Sequence, residues 1–127
     1  IRPGSSEARR QQLLESWYRE QLREKLPTLL GKWQPQMGVE ARRIFVLRMK
    51  TLWGSCNPTS GNIRLNSELA KKPSECLEYI LVHELAHLIE PTHNARFLAL
   101  LDRFVPHWRQ TKDELNRLPV RHERWDH

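Results

Sequence analysis

Residues 79–89 form an apolar run that nevertheless contains two histidines and a glutamate, in the order Val82-His83-Glu84-Leu85-Ala86-His87. Leu77, Tyr79, Ile80, Leu81, Val82, Leu85, Ala86, Leu88 and Ile89 surround the polar three. A helix this apolar is buried on most of its faces. Burying two imidazoles and a carboxylate in it is costly unless something pairs with them. No other stretch constrains the chain as much: this helix must run through the middle of a domain, with a polar partner brought to it. A divalent metal meets that requirement. His83 and His87 are four residues apart, so they lie one above the other on one helical face. Glu84 is about 100° round from His83, within reach of a water at the same place. The H-E-x-x-H pattern on a helix reads as two zinc ligands and a general base.

Two histidines leave zinc underliganded, because a catalytic ion takes three protein ligands and one water. His93 lies beyond Pro91, where the helix must stop and the chain can turn back towards the same ion. Glu90 is nearer in sequence, but a helix carries it roughly 60° away from His87. His93 is the preferred third ligand, with Glu90 as the alternative. The resulting HExxHxxxxxH spacing coincides with that of metzincins. The rest of that pattern is missing: Glu90 stands where metzincins have Gly, and Met37 and Met49 both lie upstream of the motif.

The chain's 127 residues suffice for one domain with a modest core. It begins with Ile rather than Met, which reads as a cut or processed start. No apolar run reaches the ~18 residues needed to cross a bilayer. Cys56 and Cys76 do not make a disulfide framework and read as reduced thiols, so a cytoplasmic location is expected. The net charge of +6 favours acidic partners. The basic residues are dispersed, with one stripe over Arg42–Lys50.

The periodicity predicts an amphipathic helix opening at Ser5 and carrying Leu13, Leu14, Trp17, Tyr18, Leu22 and Leu26, with Pro27 interrupting it near Lys25. A second short helix with Leu29, Leu30 and Trp33 should end at Pro35 and Gly38. Arg42–Thr51 alternates as a strand, 54–62 reads as a turn-rich loop, and Asn62–Asn66 reads as a second strand forming a hairpin with the first. Ser67–Ala70 is a helical turn. The metal-site helix opens at Pro73-Ser74, with Ser74 as cap, and ends near Glu90. Asn94 caps the next helix, which carries Phe97, Leu98, Leu100, Leu101 and Phe104. Pro106 starts a last one, ending near Leu118, before a polar tail over 119–127. Trp17, Trp33 and Trp108 are expected in the core, and His107, His122 and His127 at the surface.

The ordered series Met49-Lys50-Thr51-Leu52-Trp53-Gly54-Ser55-Cys56, Gly61-Asn62-Ile63-Arg64-Leu65-Asn66, His83-Glu84-Leu85-Ala86-His87 and Pro91-Thr92-His93-Asn94-Ala95-Arg96-Phe97 resembles the YgjP-like zinc metallopeptidases, relatives of the SprT-like and WLM metallopeptidases. The resemblance covers about residues 10–118. It implies one zinc ion on His83, His87 and His93, with Glu84 catalytic, and a β-rich segment preceding residue 1. The family usually has Arg before its Trp-Gly-Ser-Cys element, where this chain has Leu52.

The expected architecture is α+β: a single zincin-like domain with a small antiparallel sheet packed on the HExxH helix, flanked by other helices. The expected activity is hydrolysis of peptide bonds in protein or peptide substrates. Trp53, Gly54, Arg64 and Asn66 are candidate substrate-binding residues, since Arg64 and Asn66 share a strand face and Trp53-Gly54 adjoins the cleft. Arg64, Asn66 or a backbone amide near Trp53-Gly54 could also steady an oxyanion. A core plug at Trp53 and a solvated face at Asn62, Arg64 and Asn66 are the structural alternatives. A competing function is a nucleic-acid-associated module, with DNA as partner, in which the zinc is mainly structural. Glu84 argues against a purely structural site, which has no use for a general base.

Overall fold

A computed structural model describes residues 3–117, with side chains from residue 6 onwards. The expected polar tail, with His122 and His127, lies outside the described residues. In chain order the elements are α1 (Pro3–Met37), β1 (Arg43–Leu47), β2 (Gly54–Asn57), β3 (Asn62–Asn66), a short 3-10 helix (Ser67–Lys71), α2 (Ser74–Ile89), α3 (Ala95–Phe104) and α4 (Trp108–Arg117). The fold is α+β, with the sheet and the other helices gathered around α2.

The N-terminal helices predicted on either side of Pro27 are one helix, with Pro27 and Pro35 inside it. Proline removes one ladder hydrogen bond and crowds the preceding turn, but tertiary burial on both sides outweighs that cost. Leu22, Leu26, Trp33 and Met37 are all buried. At about 100° per residue they fall within roughly 60° of arc, a single stripe that requires the helix to continue past Pro27. Leu13, Leu14 and Trp17 point more than about 100° away from that stripe. They are 66%, 52% and 56% exposed, so Trp17 is not a core residue as expected, whereas Trp33 and Trp108 are. The helix ends where predicted: Gly38 has φ +70° and, with Val39, donates to the Gln34 carbonyl. Trp33 Nε1 and Lys32 Nζ both donate to Glu78 Oε2, at 2.9 and 3.0 Å, fastening α1 to α2.

The sheet is mixed, not antiparallel, with strand order β1-β3-β2. β1 runs parallel to β3, from Arg43 opposite Asn62 to Leu47 opposite Asn66, so the two predicted strands do not form a hairpin. The hairpin partner of β3 is β2, from Gly54 opposite Leu65 to Asn57 opposite Asn62. Its tight turn has Asn57 Oδ1 accepting from Thr59 N and Ser60 N, and Gly61 at φ +77°. With β2 on one side of β3, β1 takes the other side and, after two chain reversals, runs in the same direction as β3. Gly-Ser-Cys-Asn lacks the apolar alternation of a strand; pairing with β3 and packing on α2 hold it extended.

Candidate metal centre

α2 is buried from Cys76 to His87, apart from Glu78. His83, Glu84 and His87 are 0%, 2% and 8% exposed, so the burial inferred from the apolar run is present. Ser74 is the first helical residue rather than the cap, a place taken by Pro73. The helix stops before Pro91: Glu90 is extended, at φ −134° and ψ 105°, while its N–H still bonds the Ala86 carbonyl. Asn94 then starts α3, its Oδ1 accepting from Phe97 N at 3.0 Å. Its Nδ2 donates to Glu90 Oε1 at 2.7 Å and to Thr92 Oγ1 at 2.9 Å, which ties the turn between α2 and α3.

That turn returns His93 to the two helix histidines. The ring centroids are 5.0 Å apart for His83–His87, 5.4 Å for His83–His93 and 4.5 Å for His87–His93. One nitrogen from each ring lies within 4.8 Å of the others. A tetrahedral ion with bonds of ~2.0–2.1 Å needs donors roughly 3.4 Å apart, within a small ring rotation of this arrangement. Three imidazoles are borderline donors suited to zinc and similar divalent ions, so the donor set fits a divalent metal. His87 Nδ1 lies 3.2 Å from the Glu90 carbonyl, the partner that makes Nδ1 the donor and frees Nε2 for a metal. Burial, with a smaller contribution from His83, pushes the His87 pKa below its ordinary value; the Glu84 charge and the backbone acceptors only partly oppose this. A neutral ring is the form that ligates.

Glu84 Oε2 sits 3.2 Å from His83 Nδ1, at the wall of a cleft of about 260 Å³. The three histidines, Glu84, Gly54, Ser55 and Cys56 line that cleft. A larger open groove of about 810 Å³ runs beside α1 near Arg48, but among the described residues it gathers no comparable set of metal donors. Of the four residues singled out for substrate, Gly54 alone lines the cleft. A β-carbon on Gly54 would stand 2.7 Å from Ile80 Cγ2 and 3.1 Å from Glu84 Oε2, so glycine makes room for the carboxylate. Trp53 is buried in the core, and Arg64 is exposed on β3 away from the cleft lining. Asn66 is fully buried: Oδ1 accepts from Met49 N and Glu68 N, and Nδ2 donates to the Met49 and Leu52 carbonyls. Its amide organises the 48–53 loop rather than facing the cleft. Burial and then Glu84 push the Cys56 thiol up to about 12, so it stays protonated beside the histidines. His107 is exposed, as expected.

Ser55 and Cys56, in the Trp53–Cys56 element expected beside the cleft, do line it, whereas Pro58 in the lining and the contact of Phe97 with the histidines were not legible in the sequence. Phe97 was legible as an apolar helix position, but nothing in its spacing showed which rings it would meet. Leu52 also lines the cleft.

A buried HExxH helix, a third histidine brought back by the turn that follows it, and a small sheet beside them make a zincin-like fold. The YgjP-like metallopeptidase domain model matches residues 1–118, and the chain belongs to that family. The fold is shared with the crystal structure of the metallopeptidase zymogen abylysin of Pyrococcus abyssi, at 23% identity and TM-score 0.65, covering 72% of this chain and 93% of that one. It is shared also with that of the zymogen jannalysin of Methanocaldococcus jannaschii, at 20% identity and TM-score 0.62, with the same coverage. None of the curated proteins matches the chain. Among the described residues, no helix is long and apolar enough to cross a membrane.

Proposed function

We propose that this metallopeptidase uses zinc held by His83, His87 and His93, with Glu84 as its general base. One observation carries the proposal: three imidazole nitrogens gather within 4.8 Å of one another, beside a carboxylate that is 2% exposed. When bound, the ion supplies Lewis acidity, lowering the pKa of water and polarising the scissile carbonyl. Glu84 accepts the proton of the attacking water and delivers it to the leaving amine. His87, held through Nδ1 by the Glu90 carbonyl, keeps Nε2 directed to the centre. Among the described residues β2 has β3 as its one sheet neighbour, and its Gly54, Ser55 and Cys56 line the cleft. An extended peptide laid along the free edge of β2 would bond to backbone groups and present its amide bond to Glu84. Gly54 is the substrate-side residue retained here; Trp53, Arg64 and Asn66 act on the fold or at the surface. The free thiols Cys56 and Cys76 fit a cytoplasmic location. The nucleic-acid reading rests on the positive charge and on the resemblance to SprT-like relatives, and gains no observation from the fold.

The test compares wild type with Glu84→Gln for zinc content and for cleavage of an unfolded protein. About one zinc per chain in both, with cleavage in wild type only, supports the roles given. Equal cleavage by the glutamine variant would remove Glu84 as the base.

A further inference from the structure

Phe97 touches all three candidate ligand rings. It is 1% exposed, and its ring centroid lies 4.9 Å from His83, 4.4 Å from His87 and 4.9 Å from His93. It stacks on His87 with 20° between the planes and meets His83 and His93 edge-on, at 77° and 84°. These are the offset-stacked and T-shaped contacts that aromatic rings favour. The position of the ring is itself fixed: Asn94, the residue next to His93, accepts the Phe97 N–H through Oδ1 at 3.0 Å. The turn carrying His93 and the start of the helix carrying Phe97 are therefore set in one register.

Imidazoles turn broadly about their last side-chain bond. A ligand nitrogen points to the common centre only if something limits that rotation, and usually a hydrogen bond at the other nitrogen does so. A flat, immobile ring against each imidazole limits the same rotation by contact, and close packing in the interior leaves Phe97 little room to yield. We propose that Phe97 is a positioning residue for the metal centre, its ring serving as the common wall that orients His83, His87 and His93. The proposal rests on those three histidines being the ligands.

The test measures three variants beside wild type. Phe97→Leu keeps an apolar side chain but removes the flat wall. Phe97→Tyr keeps the ring. Leu101→Ala cuts an equally buried α3 side chain one turn further on. Zinc affinity is measured by competition with a chelating dye, the visible spectrum of the cobalt-loaded protein is recorded, and metal-free stability is read from urea unfolding. The expected result for Phe97→Leu is a zinc affinity lower by about 10–100-fold, the range for residues that orient ligands, with altered cobalt bands. Phe97→Tyr and Leu101→Ala should keep zinc affinity within about threefold, outside that range, although Leu101→Ala lowers the urea midpoint. A folded Phe97→Leu with wild-type zinc affinity and cobalt bands overturns the proposal. So does Leu101→Ala weakening zinc as much as Phe97→Leu. If Phe97→Leu does not fold, Phe97→Met is read against the same two outcomes. If wild type takes up no zinc, the ligand assignment itself has failed; if it does and Phe97→Leu changes nothing, only the role of Phe97 has.

Discussion

Gly54→Ala places one methyl group where α2 and β2 are closest. Its carbon would lie 2.7 Å from Ile80 Cγ2, 3.1 Å from Glu84 Oε2 and 3.3 Å from the Arg64 carbonyl. Carbon atoms rest about 3.5–4.0 Å apart, so the Ile80 contact alone demands a shift of roughly 1 Å. Ile80 is fully buried on α2 and has no room to move, whereas β2 is an edge strand. The strand should therefore move outward, carrying the wall of the cleft away from Glu84. Overpacking of this kind costs about 1–3 kcal/mol, which urea unfolding reads directly. The effect on turnover should be larger than stability suggests, because a misplacement of about 1 Å at a reacting centre costs on the order of 100-fold. Zinc affinity should stay near that of wild type, since the three histidines keep their own contacts. The assay is steady-state peptide cleavage alongside zinc titration and urea unfolding. Wild-type turnover and stability in Gly54→Ala would refute the claim that this glycine makes room for Glu84. Gly54→Ala should also cost less in an Ile80→Ala background than in wild type, because the two side chains share one space.

Other consequences concern stability and reactivity. Asn66→Ala removes four hydrogen bonds to the 48–53 loop and to Glu68. At about 0.5–1.5 kcal/mol each, with shared geometry, the loss should be roughly 2–4 kcal/mol; a fall in substrate affinity without a lower urea midpoint would show that Asn66 binds substrate instead. His87 is held below the ordinary histidine value of 6.5 chiefly by burial, so the unfolded chain binds the proton more readily than the folded one. The metal-free protein should keep the full contribution above that pH and lose it as pH falls through and below it, and His87→Gln should flatten this part of the urea-midpoint profile. Cys56, pushed up to about 12 from 9.0, should carry about a thousandfold less thiolate than an ordinary thiol. Alkylation of the folded metal-free protein by iodoacetamide at mild alkaline pH, followed by mass spectrometry, should therefore be slow at Cys56; rapid modification would contradict that environment.

Local rules carried the sequence reading where local rules set the structure. Apolar content alone marks α2 as buried, Pro91 ends it, Asn94 caps α3, and these three facts together bring His93 back to His83 and His87. The α+β class follows from the same reading. Elements decided by distant partners were not legible. Pro27 and Pro35 argue for a break in α1, and only the stripe from Leu22 to Met37, packed against the rest of the domain, explains its continuity. Gly54–Asn57 has turn composition, and its strand character comes from β3 and from the close approach to Ile80. The parallel pairing of β1 with β3 follows from the place β2 occupies, so missing β2 also turned the predicted pairing from parallel to antiparallel. Asn66 shares strand alternation with Arg64, but alternation does not show whether a polar side chain faces solvent or holds a loop. Phe97 was legible as buried, but its contact with three imidazoles depends on the angle at which α3 meets α2.

X-ray absorption at the zinc edge of the zinc-loaded protein reads the ligand set of the centre itself. Three imidazole nitrogens at ~2.0–2.1 Å and one further light atom are expected, with one histidine lost from the shell in His93→Ala. A sulfur at about 2.3 Å, which would implicate Cys56, or a shell unchanged by His93→Ala, would contradict that ligand set.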